Sequence, residues 1–415
     1  MNSQCEVLVI GGGIIGLACA HYLVQNGRKV RLIERDRIGA GASHGNCGLV
    51  FTSDLVPLCA PGAVRHEIGL KLRAQSRLYI SPRLNPARIR WFLNFAAKCN
   101  ARHLQYLIEA RRQILSHSAQ LYDDLFSTGD LKADRQCNGL LMVYATEAAW
   151  RGYAATNEHL RPFGYEAEPV RGEALKALEP ALKPHLYGAW YHPRDCHLRP
   201  DMLLDSWKRL LVEQGVKIEE NHPFERFRCR NGRIAKAITG QGEIAADHFV
   251  LAAGAWSPSI LLPLGISLPI EPGKGYSITM GRPDGAPRIP CYLHENRTVA
   301  TPWQSGYRLG GVMEFSGHNS RLRARHIRNL RAAARSYLHE PLGTPVHEEW
   351  TGMRPMTYDD LPIIGRAPRL PNLILATGHG MLGLSTAPST GKLVAEMIAG
   401  SNPHIDPAPF RADRF

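Results

Sequence analysis

With 415 residues, 44% of them hydrophobic and 21% charged, the chain is long enough for more than one core, and two domains are expected. Its 39 glycines and 29 prolines follow no period, and the ordinary apolar content excludes collagen, coiled coil and disorder. Lysine and arginine exceed aspartate and glutamate by 13, which suits an anionic substrate, an acidic partner or an anionic membrane face without choosing among them.

The 9 cysteines include no C-x-x-C pair, and several, such as Cys19, sit inside apolar runs. That usage predicts a reduced, cytoplasmic chain with neither a disulfide framework nor a metal centre. Asn2 to Glu6 is polar, with no basic signal-like segment, in keeping with the same compartment. The first apolar run, Val7 to Ile10, reads as a central parallel strand. It leads into Gly11-Gly12-Gly13-Ile14-Ile15-Gly16, a G-x-G-x-x-G turn that opens a helix reaching Gln25. Asn26-Gly27 ends that helix, and a strand from Lys29 to Ile33 delivers Glu34 and Arg35. Gly11 allows the tight turn, Gly13 lets backbone amides approach a pyrophosphate, and Gly16 brings the helix close to the strand. The helix N-terminus favours the anion, and Glu34 is placed to accept from a ribose hydroxyl and to repel a 2′-phosphate. Strand, glycines, helix, strand and acid in that order predict a dinucleotide site, NAD or FAD alike.

A second run of small residues, Gly39 to Gly48, allows backbone to lie against a large flat ligand. Glu34-Arg35, Gly41-Ala42-Ser43, Asn46-Cys47-Gly48 and Pro57-Leu58-Cys59-Ala60-Pro61-Gly62 together resemble the FAD-dependent D-amino-acid oxidase and dehydrogenase superfamily, above all its bacterial D-amino-acid dehydrogenases. The resemblance implies FAD, with Gly11, Gly13, Ile14, Ile15, Gly16, Glu34 and Arg35 at the nucleotide. It also implies Ala42, Ser43, Asn46, Gly48 and Leu49 at the flavin. Cys47 would be a flavin neighbour, where covalent attachment is conceivable.

From Arg88 to Phe126 the apolar spacing predicts helix. Ile89, Trp91, Phe92 and Phe95 among Arg83, Arg88, Arg90 and Lys98 read as an apolar helix face with basic edges, or as an interfacial membrane patch. A helix over Leu203–Leu211 and a strand over Val216–Glu219 follow, then short antiparallel strands at Arg226–Arg230, Ile234–Thr239 and Glu243–Ala246 with a hairpin at Asn231-Gly232. Phe249 to Ile270 is uncharged for 22 residues, but Gly254, Pro258, Pro263, Gly265 and Pro269 argue for a strand, a turn and a short helix rather than a membrane span. By resemblance, Gly254-Ala255-Trp256 returns the chain to the FAD, with Phe224 on the preceding strand at the adenine. Lys274-Gly275-Tyr276-Ser277 resembles a turn of the same dehydrogenases near the substrate, where Tyr276 is a candidate for its carboxylate. Six arginines between Arg321 and Arg335, with Leu322, Ile327, Leu330, Ala334 and Tyr337, predict a basic amphipathic helix whose default is a solvated face. No nucleic-acid module accompanies it.

Near the C-terminus, Gly352-Met353-Arg354-Pro355 resembles the family's G-x-R-P motif, which makes Arg354 the expected carboxylate clamp. Gly378-His379-Gly380-Met381-Leu382-Gly383-Leu384 resembles the turn beside the flavin, and Pro388 is expected to open the helix after it. His379 and His44 are candidates for tuning a proton.

The expected fold class is α/β: a discontinuous, glutathione-reductase-like FAD domain (1–85, 195–262, 346–415) with an inserted α+β substrate domain (86–194, 263–345) carrying an antiparallel sheet. The resemblance implies dehydrogenation of a D-amino acid, with electrons leaving to a quinone or a partner subunit, and the basic surface suits peripheral attachment to the inner face of the cell membrane. A hetero-oligomeric dehydrogenase acting on a secondary amine or imino acid such as hydroxy-D-proline or an opine, an oxidase using O2, and a non-catalytic FAD-binding subunit are the alternatives.

Overall fold

Val7, Leu8 and Val9 are wholly buried, as residues of a strand covered on both faces must be. A computed structural model describes residues 5–72 and 78–415. Its six-stranded sheet runs in the order Ile363–Ala367, Leu370–Thr377, Ala246–Leu251, Cys5–Ile10, Val30–Ile33, Lys217–Glu219. Only the first of these strands is antiparallel to its neighbour. Beside it lies the meander Phe224–Arg230, Arg233–Thr239, Gly242–Ile244, whose first hairpin turns through left-handed Asn231 and Gly232. Ala246, expected to end that meander, instead begins the strand of the larger sheet.

A nine-stranded mixed sheet forms the second layer. Val346–Thr357, Ile270–Met280, Gly306–Phe315 and Thr298–Trp303 run antiparallel, and Cys291–Leu293 continues into Leu140–Tyr144 in parallel. Val346–Thr357 therefore belongs with the residues expected to form the substrate domain, so a boundary placed at 346 falls too early. Leu78–Ile80 also pairs into this sheet rather than into the nucleotide domain.

The helical run expected over 88–126 is two helices, Pro86–Lys98 and Ala101–Ser127. Asn85 and Asn100 supply the caps, accepting from Arg88 N and His103 N at 3.1 Å each. Arg88, expected at a basic edge, is instead buried and paired with Glu271 at 2.7 Å. The C-terminal helix starts at Gly383, five residues before Pro388. Proline there cannot donate to the Leu384 carbonyl, and the Tyr122 hydroxyl fills that vacancy at 2.8 Å. Residues 274–277, expected as a turn, lie inside the strand Ile270–Met280. Leu322 falls outside the arginine-rich helix, which spans Ala324–Tyr337.

Cys137 and Cys196 form a disulfide, contrary to the fully reduced chain expected. Their neighbours Gln136 and His197 form a β-bridge, which brings together two cysteines 59 residues apart. The other 7 cysteines carry free thiols. Among the described residues no helix is long and apolar enough to cross a membrane. Phe249–Ile270 resolves into a strand end, the turn Gly254–Trp256 and the short helix Ser257–Leu261.

Candidate functional site

One cavity of about 1160 Å³ runs between the two large sheets. That exceeds the roughly 300–1,000 Å³ that holds a drug-sized ligand, and suits a dinucleotide with a small substrate beside it. Gly11, Gly13, Ile14, Ile15, Glu34 and Arg35 line its nucleotide end. Gly11 has φ +111°, and a Cβ there would lie 2.5 Å from the Ala252 carbonyl oxygen. Gly16 does not line the cavity; a Cβ on it would lie 1.9 Å from the Gly11 carbonyl oxygen, so its absence lets the helix seat on the turn. The helix Ile14–Gln25 begins without a side-chain cap at Gly13 and without an acid in its first turn. Ser43 Oγ, from the second small-residue run, accepts from Ile14 N at 3.0 Å. An anion of the cofactor would find free amides and a positive dipole end here. Glu34 accepts from Gly12 N at 2.7 Å and Asp36 N at 3.0 Å while facing the cavity. Arg35 stacks on Trp256 at 3.9 Å, and Phe224, Gly254 and Trp256 complete that end.

Ala42, Ser43, Asn46, Cys47 and Leu49 line the next stretch. Gly48 lies behind them, where a Cβ would meet the Leu198 carbonyl oxygen at 2.1 Å. The fully buried Arg308 guanidinium holds this loop by donating to the His44 and Asn46 carbonyls at 2.9 and 2.7 Å. His44 itself pairs with Glu348 at 2.9 Å. Burial pushes the Cys47 thiol pKa up, which keeps it protonated and opposes the thiolate that covalent attachment needs. Across from this loop, His379, Gly380, Met381, Gly383 and Leu384 face the cavity, whereas Gly378 and Leu382 do not.

His379 is buried and meets Thr390 Oγ1 at 3.0 Å, and burial pushes its pKa down to about 3. It is neutral across the physiological range, so it serves as a hydrogen-bonding group rather than as a proton donor. His21 and His197 are pushed down to about 4 by the same cause. In the unfolded chain all three titrate near 6.5, so the unfolded state binds more protons between pH 6.5 and about 4. Stability is therefore full above pH 6.5 and falls as the pH drops through that window. Thermal midpoints measured from pH 8 to pH 4 should be level down to about 6.5 and then decline. A level curve down to pH 4.5 would contradict the neutral burial of these rings.

Arg354 occupies the other end, opposite Gly273 in the strand pair, and donates to the Val312 carbonyl at 3.1 Å. Among the described residues it pairs with no carboxylate, and burial pushes its pKa down. A Cβ on Gly275 would sit 2.4 Å from its guanidinium, so this glycine makes the room Arg354 occupies. Tyr276 is not at the site. Side chains alternate along a strand, so Lys274 and Tyr276 point away from the face that Gly273 and Gly275 open. Its hydroxyl donates to the buried Glu314 at 2.8 Å.

Several groups at this end carry no local sequence signal. Tyr292 lies on the three-residue strand Cys291–Leu293 and feels the charges of Arg297, Asp54 and Arg354. Tyr153 meets His192 Nε2 at 2.8 Å, and Arg297 pairs with Glu67 at 2.5 Å. Asp54 pairs with Arg111 at 3.2 Å, yet burial, with Asp360 and Asp195 nearby, pushes its pKa up to about 6. Behind it, Asp195 accepts from the amides and hydroxyls of Thr52 and Ser53.

Residues 6–397 match the family model described as FAD dependent oxidoreductase. The chain belongs to that family. Two relatives extend the match over the whole chain. A D-amino acid dehydrogenase of Bradyrhizobium diazoefficiens is 30% identical over 99% of both chains. D-amino acid dehydrogenase 2 of Ralstonia nicotianae is 31% identical over 99% of this chain and all of its own. The crystal structure of glycine oxidase from Geobacillus kaustophilus shares the fold at a TM-score of 0.79 and 22% identity, over 99% of each chain. As a member of this family the protein is an FAD-dependent oxidoreductase, and the glycine-walled cavity with its open helix N-terminus fits that cofactor.

Proposed function

We infer that this oxidoreductase dehydrogenates D-amino acids at the Cα–N bond, giving an imino acid that water hydrolyses to a 2-oxo acid and ammonia. The observation that carries this reading is Arg354, a guanidinium facing the FAD cavity that pairs with no carboxylate among the described residues. A substrate carboxylate supplies the missing partner through two parallel hydrogen bonds, and that contact fixes which way Cα–H points. Full-length relatives named for D-amino acids support the donor class.

FAD, when bound, supplies the acceptor for the two electrons and the α-hydrogen. Gly11, Gly13, Ile14 and Glu34 would hold its nucleotide, and Ala42, Ser43, Asn46, His379 and Gly380 its flavin. Tyr292, within the field of Arg354, is placed to donate to the same substrate carboxylate. The apolar residues Leu140, Met142, Trp91 and Phe92 exclude water from the reacting carbon. The six-stranded sheet carries the nucleotide and the nine-stranded sheet the substrate. Electrons then leave to a quinone or another carrier; a quinone acceptor would go with peripheral attachment to the inner face of the cell membrane.

The test is anaerobic bleaching of the visible flavin band by a panel of D-, L- and imino acids. Loss of absorbance with D-amino acids, and slow reoxidation by O2 against fast reoxidation by a quinone analogue, is the expected result. Bleaching by cyclic imino acids alone would move the donor to secondary amines, and bleaching by none would remove the reading.

A further inference from the structure

A carboxylate taken out of water needs donors around it. Asp195 and Asp360, the two carboxylates whose charges act on Asp54, are each held by hydrogen bonds. Asp195 accepts from the amides and hydroxyls of Thr52 and Ser53. Asp360 accepts from Leu58 N at 2.8 Å and from Arg111 Nη1 at 2.5 Å. Asp54 differs. Among the described residues no hydrogen bond reaches its carboxylate. Arg111 lies 3.2 Å away as an ion pair, but directs Nε and Nη2 to the Asp54 main-chain carbonyl at 3.0 and 2.8 Å. One guanidinium is thus shared between Asp54 and Asp360.

The main chain on either side of this carboxylate is fixed, by Asp195 before it and by Arg111 at its own carbonyl. Of the Asp54 side-chain surface 30% remains open, and Asp54 lines the cavity. Tyr153 and Tyr292 line it too, and both feel the Asp54 charge. Tyr292 also feels Arg354, whereas Arg354 is not among the charges that act on Asp54. Asp54 therefore lies farther from the clamp than Tyr292 does. Beside it, Tyr153 meets His192, whose buried Nδ1 has no partner among the described residues. Glu67, another acid on the cavity wall, is already paired with Arg297.

We propose that the Asp54 carboxylate accepts from an O–H or N–H donor on the substrate's side chain, and so selects polar side chains over apolar ones of the same size. The α-amino group sits one carbon from the carboxylate that Arg354 holds, so the farther Asp54 meets the side chain. A fixed acceptor facing a cavity loses most when the ligand brings no donor, because the carboxylate is then desolvated without a partner. The same wall offers hydroxyls at Tyr153 and Tyr292 to the lone pairs of such a side chain. The inference deepens the D-amino-acid reading above and rests on it for the Arg354 clamp.

The experiment compares kcat/KM of the flavin-loaded protein, with a quinone analogue as acceptor, within pairs that differ by one donor. The pairs are D-serine and D-2-aminobutyrate, D-ornithine and D-norleucine, and 4-hydroxy-D-proline and D-proline. The expected result is a preference of about tenfold or more for the donor-bearing member of at least one pair. That preference should vanish in Asp54→Leu, which keeps the volume without an acceptor, and in Asp54→Ala. Each ratio is taken within one preparation, so partial loss of flavin or of folded protein cancels. A response in the serine or proline pair identifies a hydroxylated side chain, and one in the ornithine pair a basic side chain. Turnover of every pair without preference would overturn the proposal and leave the dehydrogenase reading standing, as would a preference that survives both substitutions. Turnover of the proline pair alone, with a hydroxyl preference lost in the variants, would uphold Asp54 and move the donor to secondary amines. A flavin that no member reduces would remove both.

Discussion

Arg354→Ala is expected to retain the full flavin spectrum and to raise KM for the amino-acid substrate by about 2–5 kcal/mol, the cost of stranding a buried charge partner, which is roughly 30- to 5,000-fold. The spectrum survives because, among the described residues, the guanidinium bonds the Val312 carbonyl and the Met313 sulfur and no residue of the nucleotide end. The substrate suffers because its carboxylate would enter a half-buried site without the guanidinium that orients it. Gly275→Val offers an independent route to the same defect, since a side chain there would displace the guanidinium without removing it. Steady-state kinetics on both variants, with flavin absorbance as the integrity check, give the answer. An unchanged KM in Arg354→Ala would remove the clamp assignment.

Gly16→Ala is the second large effect, and it acts on cofactor retention. One added methyl would lie 1.9 Å from the Gly11 carbonyl oxygen, a backbone atom that no rotamer change can move. The helix must retreat from the strand, carrying with it the amides that face the nucleotide. Overpacking of this kind costs about 1–3 kcal/mol of stability, and the purified protein should carry far less flavin per chain. Gly152→Ala is the control, because a Cβ there meets nothing within 4 Å. The ratio of flavin to protein absorbance and the thermal midpoint read both effects. Full flavin occupancy in Gly16→Ala would contradict the close helix–strand contact.

These two positions also mark what the sequence makes legible. The nucleotide end is readable because its requirements are local: three glycines at fixed spacing, an uncapped helix start and an acid at the end of the next strand. Arg354 is readable through the family's G-x-R-P motif. Tyr276 misleads because residues 274–277 read as a turn in isolation, and only the pairing of Ile270–Met280 with both neighbours fixes which residues face the cavity. Pro388 misleads in a similar way: a proline normally opens a helix, and here a distant tyrosine hydroxyl makes its interior position tolerable. The Cys137–Cys196 link and the Tyr292, Tyr153 and Asp54 wall depend on segments that meet only in the folded chain. No spacing rule reaches them.

The strand that carries Arg354 is bonded directly to the turn that carries His379. Met356 bridges His379, and Gly380 N donates to the Pro355 carbonyl at 3.0 Å. The proposed carboxylate clamp and the proposed flavin bed are thus one mechanical piece, joined through main chain. The opposite wall is assembled from unrelated pieces: the short strand at Tyr292, the helix bearing Tyr153 and the loop bearing Asp54. Side-chain preference can consequently drift by substitution in those pieces while the angle of attack stays constant. A fold so divided can exchange one amine donor for another without relearning how to present it.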